Sequence, residues 1–382
     1  MKTFFIGHFS SRANSKNVAS SSAGNQVQRQ ITEELSQNIS GKIFSFSMEP
    51  ASAWPKGKLV YKSSSEGEIT FIGYLNLPII KHVLFSIRVL YKAILIKPEL
   101  CVQYNSYVFE NIALIIFKIL HSSTFLVIFI QDVNVCKCYF KSLKKCISSF
   151  SEKISISFVR YFDLIIPISH EIISDFNLPL KNCFVFQGGI TKYAELFINQ
   201  IYEKDLEEIA VFAGSLEAHN GVDRLVNSWI SLDIKNILHI FGRGSLQDYI
   251  IEAANKSKFI IFHGHRSEEQ ILEWQQRSRW NICLRYSEGL NQKYFFPSKF
   301  FNLAYAPGAV IVNDFHALPL ALRQYVQVVS DDLSDLQNAL TCGIDLSSAK
   351  ILSQRRVILK SNYNWNACIV EIVSRFDSQK AM

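Results

Sequence analysis

The sequence predicts an α/β protein built as two doubly wound halves, on three observations. Short apolar runs alternate with longer segments of helical period along most of the chain, the pattern of parallel strands joined by crossover helices. The chain has 382 residues, too many for one ordinary core and suited to two domains. The alternation is interrupted once, by a mixed, charged stretch at 191–208 that reads as the connection between the halves.

The first half spans 1–190. It opens with the strand "TFFIG", then a Ser-, Ala- and Asn-rich loop at 10–23. "GNQVQRQITEELSQNI" follows with helical spacing, placing Val27, Ile31 and Leu35 on one face. Further strands are predicted at "KIFSFS", "EITFIGY", "ELCVQY", "FLVIFI", "FDLIIPI" and "NCFVFQ". Helices lie between them, the clearest at 80–96 and 106–120. The second half, 209–358, has strands "AVFAG", "NILHIFG", "FIIFHG", "WNICLRY", "GAVIVND" and "VQVVS". A terminal helix over 359–382 follows, with the option of packing back on the first half. Two such halves in tandem predict a ligand cleft between them, at the carboxyl ends of the strands.

Composition narrows the function classes. With 48% hydrophobic and 19% charged residues the chain is globular, and 29 Phe against 16 Gly predict a heavy aromatic core with few glycine loops. The formal charge is +7, but Lys and Arg are dispersed and form no basic stripe. That argues against nucleic acid and for anionic phosphate ligands or an anionic membrane surface. Of eight cysteines, most sit in apolar runs as small hydrophobes. Cys136 and Cys138 are one residue apart, which is not zinc-site spacing, so a reducing cytoplasm is the expected compartment. "MKTFFIGHF" turns polar too soon for a signal peptide, and no apolar run has the length of a transmembrane helix.

Four segments carry candidate chemistry. In "VFAGSLEAHNGVDRLVNSW" a strand runs into Gly214-Ser215 and a helix follows Gly221, so backbone N–H groups and a positive helix end face an anion, unless this is an ordinary strand–helix turn. In "ILHIFGRGSLQDYI", Gly242 and Gly244 permit close backbone approach, and Arg243 faces either phosphate or solvent. "FIIFHGHRSEEQILEWQQRS" sets a loop at His263–Arg266, including Gly264 and His265, before a helix with Ser267 as N-cap and two acids in its first turn. In "FFPSKFFNLAYAPGAVIV", Lys299 precedes an apolar helix, where its charge opposes the dipole unless a bound anion such as a diphosphate offsets the cost.

In order and spacing these segments, over about 205–315, resemble the donor-binding half of the GT-B glycosyltransferases, the group-1 or GT4-like nucleotide-sugar transferases. The first half resembles them more weakly, through "SAGNQVQRQITEEL", "IQDVN" and "VFQGGI". The resemblance implies a GT-B fold, with two Rossmann-like domains and an interdomain cleft. It also implies sugar transfer from a nucleotide-diphosphate donor, UDP-sugar favoured, to a glycan or polyprenyl-linked acceptor in bacterial surface polysaccharide synthesis. It implies that Lys299, Gly214 and Ser215 meet the diphosphate, and that Gly242, Arg243, Gly264 and His265 line the donor site. Asn302 stands at the ribose contact and Glu288 at the sugar; Ser298 either meets phosphate or caps the helix. Gly24 and Asn25 open the helix against the phosphates and acceptor.

The chain departs from the pattern at Ser215 and Asn220, where the related enzymes often carry diphosphate cations, and at Tyr294 and Asn302, where they carry acids. The alternative reading is a degenerate GT-B subunit that binds or scaffolds another transferase. Asp132, at a strand end, is the candidate general base, with His8 the weaker one. No DxD-like cluster lies in a metal loop, Asp331-Asp332 reading as a helix start, so a metal-independent site with no cofactor is expected. Finally, "LPIIKHVLFSIRVLYKAILIKPEL" bears Lys81, His82, Arg88, Lys92 and Lys97, and "CKCYFKSLKKC" bears Lys137, Lys141, Lys144 and Lys145. These either form a peripheral membrane face or belong to buried helices whose charges reach out to water.

Overall fold

The apolar run after Met1 forms β1 (Lys2–Gly7), in which Lys2 alone is exposed, as a parallel strand covered on both faces requires. The computed structural model describes residues 1–14, 22–133, 143–200, 206–286, 292–341 and 348–381. It divides into one unit of Met1–Gln187, Lys293–Phe295 and Trp365–Met382 and a second of Gly188–Gln292 and Phe296–Asn364.

In the first unit β1 is followed by α1 (Ser22–Asn38), β2 (Lys42–Ser47), β3 (Val60–Tyr61), β4 (Ser64–Glu66), β5 (Ile69–Phe71) and β6 (Tyr74–Leu75). Then come α2 (Ile80–Ile96), β7 (Leu100–Tyr104), α3 (Val108–Leu120), β8 (Phe125–Ile130), α4 (Leu143–Val159), β9 (Leu164–Pro167) and α5 (His170–Asp175). The main sheet runs β4-β5-β2-β1-β7-β8-β9, parallel except for β4 against β5. Its order reverses at β1, which pairs with β2 on one side and β7 on the other. Ile31 and Leu35 of α1 are buried against Phe5, Val102 and Phe129, and Val27 packs beside them, so the predicted helical face is the one that covers the sheet.

Two predicted strands are not continuous. "EITFIGY" breaks after β5, and Tyr74 and Leu75 pair with β3 instead. The cause is close backbone crossing: a Cβ at Gly73 would lie 2.6 Å from Ser63 N and Tyr61 O. "NCFVFQ" forms no strand; Phe184 and Phe186 donate to Ile165 and Pro167 carbonyls at 2.9 and 3.0 Å. The partner strand ends in Pro167, which has no N–H to continue the ladder.

The second unit begins at Gly188, and the stretch expected to connect the halves holds a helix of that unit. There α6 (Lys192–Gln200) buries Ala194 and Ile198 with Phe300, Phe301 and Leu359. β10 (Glu207–Ala213), α7 (Val222–Ser231), β11 (Ile237–Phe241), α8 (Gln247–Lys256), β12 (Ile260–Phe262), α9 (Glu268–Arg277) and β13 (Ser278–Cys283) follow. They lead to α10 (Phe300–Tyr305), β14 (Ala309–Asn313), α11 (Leu320–Arg323), β15 (Gln327–Val329), α12 (Leu336–Thr341) and α13 (Ala349–Asn362). The sheet is parallel throughout, in the order β12-β11-β10-β13-β14-β15. Here the order reverses at β10, which pairs with both β11 and β13.

The expected single terminal helix is two. The chain breaks after α13, where Ile190 N donates to Tyr363 O at 3.0 Å and Ile190 bridges Asn364. The last helix, α14 (Trp365–Ala381), belongs to the first unit. Trp365, Ile369, Ile372 and Phe376 enter that unit's core, and Asn366 Nδ2 donates to Glu34 of α1 at 3.1 Å.

Candidate functional site

In open α/β sheets, ligands bind at the carboxyl ends of the strands where the order reverses. In the second unit that point is the end of β10 beside β13. β10 runs into Gly214, and Lys299 reaches this turn. Its Nζ donates to Ala213 O at 3.0 Å and lies 4.3 Å from the Phe212 ring. A Cβ at Gly214 would stand 2.7 Å from Lys299 Nζ, so the bare glycine leaves room for the ammonium. Burial lowers the Lys299 pKa, and the positive Arg285 adds to this. Among the described residues no carboxylate pairs with Lys299.

Arg285 comes two residues after β13. Its guanidinium donates to Asn220 Oδ1 at 3.4 Å. Asn220 Nδ2 in turn donates to the Ser215 carbonyl at 2.9 Å and hydroxyl at 2.6 Å. Ser215 and Asn220, the two positions at which the chain departs from the pattern it resembles, are thus tied to each other and to Arg285. His219 shares the site: burial lowers its pKa first, then Arg285 and Lys299, with Glu217 opposing. Neither Arg285 nor His219 was expected from the sequence. The available signal was the basic residue ending the apolar run "WNICLRY", but its significance depends on β13 lying beside β10.

The N-terminus of α7 is also at this turn. Its N-cap Gly221 has φ 66 and no side-chain cap, and a Cβ there would strike the Tyr286 ring at 2.3 Å. Asp223 already occupies the first turn of α7, so the helix end is partly neutralised and anion binding falls mainly to the cations.

The G-x-G pair serves loop packing. Gly242 has φ 147, and a Cβ on it would lie 1.8 Å from Gly214 O; its N–H donates to Gly264 O at 2.9 Å. Arg243 and His265 are exposed, and Gly264, at φ 69, faces open space. His263, at the start of this loop, is half-buried. It stacks on Phe241 at 4.5 Å and its Nε2 is 2.8 Å from His239 Nδ1. Ser267 caps α9 in a reciprocal capping box with Gln270, as expected.

Ser298 is exposed and caps nothing; the N-cap of α10 is Lys299 itself. Phe300 N–H is taken by Pro297 O at 2.8 Å, so the tight turn supplies its own acceptor. Asn302 Oδ1 accepts from Thr191 N at 3.4 Å, tying α10 to the chain before α6. Asp331-Asp332 forms a turn and not a helix start: Asp332 accepts from Ser334 N at 3.0 Å, and α12 begins at Leu336. Glu288 lies outside the described residues, as do Cys136, Cys138, Lys137 and Lys141.

In the first unit, Gly24 and Asn25 lie inside α1, which begins at Ser22. Asn25 Oδ1 accepts from Ser10 N at 3.2 Å and so holds the loop after β1, while Gly24 O accepts from Gln28 Nε2 at 3.2 Å within α1. Asp132 is exposed past the end of β8, and its carboxylate accepts from Asn105 Nδ2 at 3.2 Å. His8 is enclosed. Its ring stacks 4.0 Å from Tyr107, its Nε2 lies 3.3 Å from Glu110, and burial lowers its pKa. Of the two candidate bases, only Asp132 is open to a substrate. The described cysteines, Cys101, Cys183, Cys283 and Cys368, are free thiols. Among the described residues no helix is long and apolar enough to cross a membrane.

No protein-family model matches the chain, and no curated protein matches it in sequence. Solved structures match over the full length. The sucrose-phosphate synthase of Thermosynechococcus elongatus superposes with a TM-score of 0.69 at 12% identity, covering 100% of both chains. The α,α-trehalose 6-phosphate synthase of Burkholderia multivorans gives 0.66 at 9% identity, covering 100% of this chain and 99% of that one. WaaG, a glycosyltransferase involved in lipopolysaccharide biosynthesis, gives 0.58 at 12% identity, covering 97% and 99%. Two largely parallel sheets, each wound about its own reversal point, and this full-length likeness identify the architecture: the chain has the GT-B fold.

Proposed function

We propose that this protein transfers a sugar from a nucleoside-diphosphate donor, a UDP-sugar by preference, to a hydroxyl of a glycan or polyprenyl-linked acceptor. The observation that carries the reading is the Lys299 ammonium, seated on the Gly214 turn beside Arg285 and with no carboxylate partner among the described residues. A diphosphate leaving group gains negative charge as the glycosidic bond breaks. Fixed cations in a half-buried site stabilise that charge without reorganising, so neither a metal nor an organic cofactor is needed for this step. The Ser215 hydroxyl and the Asn220 amide, fixed by their mutual bond, add neutral polar groups to the same turn. Asp132, exposed at a strand end, is the group to accept the acceptor's proton.

The acceptor reading rests on the outer surface of the first unit. Ile87, Tyr91, Ile94 and Leu95 of α2 are 38–60% exposed, and Ile119 and Leu120 of α3 are 75% and 60% exposed. Arg88 and Lys92 share the α2 face, while the opposite face buries Phe85, Val89 and Ala93. An exposed face that is both apolar and basic suits peripheral attachment to an anionic bilayer carrying a lipid-linked acceptor. The proposed setting is therefore the cytoplasmic face of a bacterial membrane, in surface polysaccharide synthesis, in keeping with the involvement of WaaG in lipopolysaccharide biosynthesis.

Calorimetry with UDP-, GDP- and dTDP-sugars tests the donor. Binding of one nucleotide class that Lys299→Ala weakens at least 100-fold, about 2.7 kcal/mol, supports the site. No binding to any of them sinks the enzyme reading. Binding without turnover, judged by slow donor hydrolysis, leaves the scaffolding subunit.

A further inference from the structure

The reversal point of the first sheet gathers three ligand-type side chains from three elements. His8 follows β1, His82 lies in the first turns of α2, and Glu110 lies in the first turn of α3. His8 Nε2 and His82 Nδ1 are 3.3 and 3.4 Å from the same carboxylate oxygen, Glu110 Oε1. The three donor atoms all lie within 4.8 Å of one another. The Glu110 side chain is wholly buried, that of His8 is 9% exposed and that of His82 28%. His8 Nε2 and Glu110 Oε2 are buried with no hydrogen-bond partner among the described residues. Unsatisfied buried nitrogen and carboxylate oxygen are costly, and a bound cation relieves both at once.

The spacing also fits. Donors about 2.0–2.1 Å from a tetrahedral ion stand roughly 3.3–3.4 Å apart, as they do on two of the three edges here. Two imidazoles and one carboxylate favour borderline divalent metals over calcium or magnesium, which take oxygen ligands, and over copper(I), which takes sulfur. The rings of Tyr107 at 4.0 Å and Phe85 at 5.4 Å hold the His8 ring in place. Lys81, whose charge would repel a cation here, is turned to the Ala51 carbonyl at 3.1 Å. We propose that His8, His82 and Glu110 bind a divalent transition metal of the zinc class, with a fourth position open on the His82 side. The ion ties β1, α2 and α3 together. Its three ligands belong to the first unit, whereas Lys299 belongs to the second.

Full-length protein stripped with a chelator and titrated with zinc chloride tests this, with cobalt(II) as a spectroscopic stand-in. His82→Ala, on the accessible side, is the main comparison because it removes a ligand without emptying the core. The wild type is expected to take up one zinc per chain more than His82→Ala and to melt at a higher temperature with zinc, while the variant does not. Its cobalt spectrum should have tetrahedral intensity and no thiolate charge-transfer band. Glu110→Gln, similar in size, should weaken binding by at least the roughly 10–100-fold that loss of an outer-shell partner costs a metal site. Equal zinc uptake by wild type and His82→Ala, no uptake by the wild type, or a cobalt–thiolate spectrum overturns the proposal.

Discussion

The two sheets reverse their strand order at β1 and at β10, and the two reversal points carry opposite chemistry. In the first unit a buried carboxylate, Glu110, sits between two imidazoles. Burial pushes its pKa up, but the His8 and His82 imidazoles beside it more than reverse this and hold it ionised. In the second unit the corresponding place holds Lys299, Arg285 and His219, and no carboxylate pairs with the lysine among the described residues. Topology therefore sets where a ligand sits, and the side chains set its sign. The first point suits a cation and the second an anion.

The comparison breaks most sharply at Glu110. Removing one member of a buried charged cluster strands the others, so Glu110→Ala should destabilise folding by about 3–5 kcal/mol, read as a shift in the denaturant midpoint. A change under about 1 kcal/mol would mean the cluster contributes little and the contrast is cosmetic.

The second unit also predicts its own acid response. Burial first, then His263 and Arg277, lower the His239 pKa to about 4. In the unfolded chain a histidine titrates near 6.5. The neutral form is favoured in the fold, so this stability is complete above pH 6.5 and falls as pH drops from there to about 4. The loss is at most about 3 kcal/mol from this residue. Denaturant midpoints at pH 7 and pH 5 should differ less in His239→Gln than in the wild type; equal slopes would remove His239 as a cause.

Smaller effects sharpen the contrast between architecture and site. Ser267→Ala removes one half of the α9 capping box and should cost about 1 kcal/mol of stability with donor affinity unchanged. Lys299→Met should do the reverse. A half-buried cation with no acid beside it contributes little to folding, so on the proposed role the melt should stay level or rise by up to about 1 kcal/mol while nucleotide-sugar affinity collapses. A large drop in stability would make Lys299 a structural residue and leave the anion site to Arg285.

Much of the fold was legible because both sheets are largely parallel and covered on both faces. Strands such as "FLVIFI" and "AVIVN" are unbroken apolar runs, and the Val27, Ile31 and Leu35 period marks the face of α1. The misreadings have local causes invisible to pattern. Gly73 yields to a crossing segment, Pro167 cannot complete a ladder, and Ile190 captures the backbone at Asn364 and splits the terminal helix. At the site, Lys299 was legible as a cation opposing a helix; Ser298 reads as meeting phosphate or capping the helix, and the structure removes the cap, while Asn302, read at the ribose contact, bonds Thr191 N.

The sequence by itself determined most of the strands and helices, and that Lys299 stands before a short apolar helix, because these follow from hydrophobic period and turn residues. Only the tertiary structure decided that β13 lies beside β10 and β7 beside β1. Strand order is set by which apolar faces cover one another across the whole sheet, and no local pattern encodes it. That order is what brings Arg285 to Ser215 and Asn220, and Glu110 to His8.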